Sequence, residues 1–451
     1  MSTDTSSLLS QAVSQRSSNP RQAEKLFKQI LSVKAAENDV DVTRDQETAL
    51  VELGELYRDE GNAVELEKVL LMAREITSTT AKAKTAKLIL QLVNLFSTLP
   101  LASSKTTNSS VPTLQSVLTS SIEWARSTHR LFLAQSLSLR LASAHLSTHA
   151  YRPALNLVNT LLPELKRLDD KLLLAEVHLL ESRVYQSLKN LPKAKAALTS
   201  ARTAANAIYC PPNAQARLDV QSGILHAEDG DWKTSYSYFF EAFEGLSNLV
   251  ENDRGRASSG SGGNDVGVAG AGVGAITALK YMLLCKIMMN LPEDVTTLLS
   301  GKLAAKYATH REVESMKAVA RAHANRNLKE FRAALRDYKE EFSTDPIIRQ
   351  HLSALFDRLL EQNLLRIVEP YSVVEIAHVA KLVDQGIQQV ETKLSQMILD
   401  KVLDGVLDQG RGCLLLFDQA DNDEGYADAI KMIDEVGKVV ESLYSKAMTI
   451  A

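Results

Sequence analysis

The stretch PYSVVEIAHVAKLVDQGIQQVETKLSQMILDKVLDGVLDQGRGCLLLF, residues 370–417, decides the class of this chain. In Tyr371-Ser372-Val373-Val374-Glu375-Ile376 a hydroxyl stands three residues before a carboxylate, with Tyr371 and Ile376 spaced as a hydrophobic staple. That arrangement predicts a helix opening at Ser372. Asp384-Gln385-Gly386 supplies turn residues after Val383, and a second helix follows with Val390, Leu394, Met397, Ile398 and Val402 at helical spacing, stopped by Gly405. Val406-Leu407 and Cys413-Leu414-Leu415-Leu416-Phe417 then flank the glycine-rich Asp408-Gln409-Gly410-Arg411-Gly412, the pattern of a β-hairpin. Helix, turn, helix and wing together predict a winged-helix module.

Winged helices often bind DNA, and binding of that kind demands an excess of positive charge. Between Tyr371 and Phe417 there are six acidic residues (Glu375, Asp384, Glu391, Asp400, Asp404, Asp408) and four basic ones (Lys381, Lys393, Lys401, Arg411). A helix that enters a groove neutralises phosphates with Lys and Arg, and this term supplies much of the affinity. The sign here is wrong for nucleic acid and points to protein contacts.

Upstream, the pattern is helical and it repeats. Ala150-Tyr151-Arg152-Pro153-Ala154, Asn190-Leu191-Pro192-Lys193-Ala194 and Asp231-Trp232-Lys233-Thr234-Ser235 fall at intervals of about 40 residues, and each marks a short polar turn between two helices. Further instances are Gly61-Asn62-Ala63, Asn290-Leu291-Pro292 and Asn327-Leu328-Lys329. Two helices per unit at this period predict an α-solenoid of degenerate tetratricopeptide-like repeats. Residues 97–112, rich in Ser, Thr and Pro, are expected to form a loop between repeats, and residues 254–275, with eight of the 20 glycines, a disordered insertion. No Lys-Ser or Lys-Thr pair follows those glycines, so they are not a phosphate loop.

The 451 residues exceed what one core serves, and 45% apolar with 24% charged residues is ordinary for a globular chain. A formal charge of −4 gives no attraction to nucleic acid or anionic membrane. The start, MSTDTSSLLS, lacks the features of a secretory signal, no window approaches 18 consecutive apolar residues, and Cys210, Cys285 and Cys413 are far apart and odd in number. A protein of the cytosol and nucleus with reduced thiols is expected, without membrane contact, metal, cofactor or small-molecule substrate. No HExxH helix, G-x-S-x-G elbow or Cys-x-x-Cys pair is present, and His129, His145, His149 and His178 are read as solvated or hydrogen-bonded residues of helical segments. Asp169-Asp170 and Glu340-Glu341 are expected to face solvent at helix ends. Asn108-Ser109-Ser110 is a formal glycosylation acceptor without meaning in a chain not secreted. No enzyme is expected.

After the acidic connector, residues 418–424, a helix from Tyr426 to Ala447 carries Ile430, Ile433, Val436, Val440, Leu443, Tyr444 and Ala447 on one wide stripe. A lone helix cannot hide it, so the stripe packs back on its own domain or, the favoured reading, joins helices of partner subunits.

Degenerate helical repeats running into PYSVVEIAHVAKLV and VETKLSQMILDKVLDGVLDQGRGCLLLF resemble the PCI family, whose domain is shared by the proteasome lid, the COP9 signalosome and translation initiation factor three. VETKLSQMILDK, LDQGRGCLLLF, QAEKLFKQIL and ELGELYRDEGNAVELEKVL resemble the lid subunits most. The resemblance implies a mostly α fold: a right-handed α-solenoid, then a winged-helix PCI module with a small β-sheet, then a C-terminal helix. The expected domains are a solenoid over 1–231, a PCI domain over 232–418 (repeats 232–369, winged helix 370–417) and a connector with bundle helix over 419–451. It further implies a non-catalytic scaffold of the regulatory-particle lid in ubiquitin-dependent degradation, clamping lid, ATPase base and 20S core. Partners would be other PCI-domain lid subunits, the AAA-type ATPase ring, the α-ring of the 20S core and the lid deubiquitinase. The candidate interfaces are the wing (Val406, Leu407, Cys413, Leu414, Leu415, Leu416, Phe417), with the run Cys413 to Phe417 as an exposed sheet edge that recruits a strand, and the last helix (Ile430, Ile433, Val440, Leu443, Tyr444). The alternatives are the equivalent scaffold of the signalosome or initiation factor, and a winged-helix nucleic-acid binder.

Overall fold

The computed structural model describes the chain apart from residues 1, 17–18, 33–39, 77–81, 99–113, 258–265, 384, 418–423 and 451. Helices come first: α1 Ser2–Gln15, α2 Pro20–Ser32, α3 Val40–Glu60, α4 Ala63–Ile76, α5 Lys82–Ser97, α6 Leu114–Ser127, α7 Leu131–Ser147 and α8 Tyr151–Leu168. They continue with α9 Lys171–Ser187, α10 Leu191–Asn206, α11 Pro212–Glu228, α12 Trp232–Ala257, α13 Val266–Met288 and α14 Glu293–Ser300. After these come α15 Arg311–Ala324, α16 Leu328–Asp337, α17 Lys339–Thr344 and α18 Pro346–Val368. The module that follows is β1 Val373–Glu375, α19 Ile376–Val383, α20 Ile387–Leu399, β2 Gly405–Asp408 and β3 Cys413–Leu416, and α21 Glu424–Ile450 closes the chain.

Two compact units divide the chain, Met1–Met289 with Leu299–Thr309, and Asn290–Leu298 with His310–Ala451. In the first, each helix packs on the next, and the odd-numbered helices also pack on one another: α1 on α3, α3 on α5, α7 on α9, α9 on α11 and α11 on α13. That pattern of near neighbours only is what a repeat array requires. Small residues set the spacing. On α10 the buried set Ala194, Ala197, Ala201, Ala204 and Ala205 lets the flanking helices approach closely. The boundary expected at residue 231 lies between α11 and α12, which pack against each other.

The reversals between helices share one backbone device. Gly61, His129, His149, Asp169, Lys189, Gly230, Asn290 and Arg326 all have positive φ. At Lys189 the left-handed residue donates its N–H to Gln186 O at 2.8 Å, and Asn190 donates to Tyr185 O at 2.9 Å, closing α9 with a Schellman motif. Asn190 then opens α10, its side chain accepting from Lys193 N at 3.4 Å. One residue thus ends one helix and caps the next, and Asp231 and Asn327 do the same work at α12 and α16. The turns read from sequence at Ala150, Asn190, Asp231 and Asn327 are therefore found. His129 and His149, read as helical, are instead the left-handed residues just beyond α6 and α7. Histidine takes the left-handed conformation at low steric cost, and Nδ1 of His149 lies 3.0 Å from the Tyr151 hydroxyl.

The glycine-rich stretch is less open than expected. Helix α12 runs on to Ala257 and α13 begins at Val266, so a 254–275 loop shrinks to residues 258–265, which lie outside the described residues. Further along α13, Leu279, Leu283 and Ile287 are buried. The expected loop at 97–112, from residue 99 on, and the acidic connector up to residue 423 also lie outside the described residues. In the second unit, Phe331 of α16 packs on Phe356 of α18 at 6.0 Å between ring centres, and α18 supports both α19 and α20.

Candidate assembly surfaces

The module departs from its sequence reading at its start. Ser372 caps no helix: its carbonyl accepts the Leu416 N–H at 2.9 Å, and Val373–Glu375 form β1, antiparallel to β3. Helix α19 begins only at Ile376. The second helix ends at Leu399, before the left-handed Lys401, so Val402 is half-exposed outside it and Gly405 opens β2 rather than ending a helix. Gly405 is required there, since a Cβ would stand 2.6 Å from the Leu415 carbonyl oxygen of the neighbouring strand. The hairpin loop is fixed by Asp408, whose Oδ1 accepts from Gly410 N at 3.0 Å and Arg411 N at 3.2 Å, with Gly412 left-handed.

Strand order is β1-β3-β2, so β3 is the middle strand. The expectation that Cys413 to Phe417 offers a free edge is thus overturned: its backbone is engaged on both sides, and the edges belong to β1 and β2. Register sorts the side chains by face. Val374, Leu414 and Leu407 stand opposite one another, with Leu414 fully buried. On the other face Val373, Leu415 and Val406 form a row across all three strands, 54%, 38% and 50% exposed, and Phe417 is also exposed. Of the wing residues named from sequence, Val406, Leu415 and Phe417 present apolar surface, Leu414 is core, and Leu407, Cys413 and Leu416 are part-buried. Val373 was missed, because the capping-box reading hid a β-branched pair that fits a strand.

Helix α21 leaves its stripe open. Every residue from 428 to 448 is exposed, including Ile430, Ile433, Val440, Leu443 and Tyr444, and Met432, Val439 and Met448 widen the stripe beyond the sequence reading. Among the described residues of the helix, none is buried against its own domain.

Several charged and titratable groups are held in local contacts. Lys393 on α20 pairs with Glu361 on α18 at 2.7 Å, which removes a cation that a DNA-reading helix would need. Cys285 is buried and its thiol is pushed up to about 12 by burial, against a lowering contribution from Ser235 at 3.3 Å. His178 is buried with Nδ1 2.9 Å from Glu181 Oε2. Glu341, expected to face solvent, instead pairs with Arg311 at 2.6 Å with its side chain largely covered. Among the described residues no group of three or more His, Cys, Asp or Glu is placed to hold a metal ion, and no helix is long and apolar enough to cross a membrane.

Comparison with known proteins matches these parts in order. A family model described as the 26S proteasome regulatory subunit RPN6 N-terminal domain matches residues 5–148, the PCI domain model matches 335–418, and the 26S proteasome subunit RPN6 C-terminal helix domain matches 422–448. The chain is 46% identical over 428 residues to the probable 26S proteasome regulatory subunit rpn6 of Schizosaccharomyces pombe, covering 95% of this chain and 94% of the relative. It is 45% identical to the 26S proteasome non-ATPase regulatory subunit 11 homolog of Arabidopsis thaliana, over 90% of each chain. With the 26S proteasome regulatory subunit RPN6 of Saccharomyces cerevisiae it shares 43% identity over 89% of this chain and 87% of the relative.

Proposed function

Because this chain belongs to the family of 26S proteasome regulatory subunit RPN6, we propose that it is a non-catalytic scaffold of the regulatory-particle lid, needed for lid assembly and for holding lid, ATPase base and 20S core together. The observation that carries this reading is the open apolar stripe of α21. A helix with uncovered Ile430, Ile433, Val440, Leu443 and Tyr444 gains its burial from partner helices, at roughly 25 cal/mol per Å² of apolar area removed from water. The wing supplies a second contact through Val373, Leu415 and Val406, and the open edges of β1 and β2 can add a partner strand by backbone hydrogen bonds. The solenoid is free to reach the AAA-type ATPase ring and the α-ring of the core. Proteolysis, ATP hydrolysis and deubiquitination fall to other subunits, and the place of work is cytoplasm and nucleus.

The relatives are named for the 26S proteasome, which disfavours the equivalent scaffold of the signalosome or initiation factor. Net negative charge over the winged helix disfavours nucleic acid. Affinity purification of the tagged chain, with mass spectrometry and an ATP-dependent peptidase assay, tests the reading. Co-purified lid, ATPase and core subunits with peptidase activity support it; signalosome or initiation-factor subunits in their place overturn it.

A further inference from the structure

The odd-numbered helices α5, α7, α9 and α11 line a cavity of about 400 Å³ in the first unit. Its charged lining is Arg140 on α7, Glu176 and Arg183 on α9, and Arg217 on α11. Three guanidiniums face one carboxylate. Arg217 pairs with Glu176 at 3.1 Å, while Arg140 donates to neutral acceptors, the Leu90 carbonyl at 3.1 Å and the Asn94 side chain. Among the described residues no hydrogen bond or ion pair engages the guanidinium of Arg183, a part-buried residue beside the like charge of Arg217. Burial, then that neighbouring charge, pushes its guanidinium below the ordinary arginine range. A part-buried cation without a counter-charge costs free energy in the isolated chain, and a planar fork of donors is suited to carboxylates.

We propose that this groove is a docking site for an acidic peptide segment of a partner protein, whose carboxylates pair with Arg183 and Arg140 while Arg217 stays held by Glu176. Side chains of an extended peptide fit the cavity, and charge complementarity fixes the sign of the partner. Peptide capture by the purified chain does not depend on lid assembly, so failure of either reading is seen separately.

Fluorescence anisotropy of a fluorescein-labelled hexaglutamate peptide with the full chain is the test. Binding is expected to weaken as salt rises, to weaken about tenfold or more in Arg183→Gln, and to tighten several-fold in Glu176→Gln, which removes the competing carboxylate. Lys302→Gln, an exposed cation outside the groove, is expected to leave affinity unchanged. Thermal melts of both groove variants check folding, and Arg183→Gln is expected to melt no lower than the parent. Absence of binding, equal affinity in Arg183→Gln, weaker binding in Glu176→Gln, or binding of inorganic phosphate without the peptide overturns the proposal.

Discussion

Val406 on β2 and Leu415 on β3 stand directly opposite each other in the antiparallel ladder, both on the face turned away from the buried Leu414. Neighbours in sequence therefore have opposite duties. Leu415→Asp is expected to change thermal stability by no more than about 1 kcal/mol and to abolish incorporation into a lid, whereas Leu414→Asp buries a charge and costs roughly 4 kcal/mol or more. Melting curves and co-purification of lid subunits separate the two, and normal incorporation of Leu415→Asp would remove the wing from the interface.

Gly405 lies too close to the Leu415 carbonyl for any side chain. Gly405→Ala is expected to push β2 from β3 and cost about 1–3 kcal/mol, read as a lower melting temperature. Gly386→Ala, where a Cβ meets open space, serves as the control.

At the helix reversals the strain is in the backbone alone. Gly230 has φ 86° with nothing within reach of a Cβ, so Gly230→Ala is expected to cost about 1–2 kcal/mol. Lys189→Gly, at φ 61°, is expected to be neutral or to stabilise by up to about 1 kcal/mol. Denaturant titration of the two variants gives shifts of opposite or unequal sign if left-handed geometry is the cause.

Helix α21 is exposed along its described length, so Val440→Asp with Leu443→Asp should leave the melting temperature of the isolated chain within the range of surface changes, about 0.5 kcal/mol. In cells the same pair is expected to prevent stable lid assembly. A large loss of stability in the isolated chain would show that the stripe packs in cis.

Two buried groups contribute to the pH dependence on either side of neutrality. His323 is held below its ordinary value by burial and by the charge of Arg326, so its neutral form belongs to the fold. Its contribution is complete above the unfolded histidine value of about 6.5 and is lost as pH falls below it. Cys285, pushed up to about 12 from the ordinary thiol value, contributes below that ordinary value and loses its contribution as pH rises through the folded one. Melting temperature against pH should fall on the acid side less steeply in His323→Gln, and on the alkaline side less steeply in Cys285→Ala. In the native chain a thiol reagent at neutral pH should modify Cys210 and Cys413 and spare Cys285.

The helical repeats were legible because their signals are local. Asn190, Asp231 and Asn327 each announce a cap within three residues, and the 3.6-residue period of the flanking apolar positions needs no distant partner. The hairpin was legible for the same reason, from two apolar runs around Asp408-Gln409-Gly410-Arg411-Gly412. At Ser372-Val373-Val374-Glu375 two local readings compete, a capping box and a β-branched strand. Nothing nearby decides between them; pairing with Cys413–Leu415 does, and it converts β3 from the expected edge into the centre of the sheet.

By itself, then, the sequence determined a mostly helical repeat chain with a winged module and a terminal amphipathic helix, since turn chemistry and side-chain period act over a few residues. The tertiary structure alone decided which strand lies in the middle, which face of the wing is open, and that Arg140, Arg183 and Arg217 meet around one groove. Those depend on contacts between segments far apart along the chain, which no local pattern encodes.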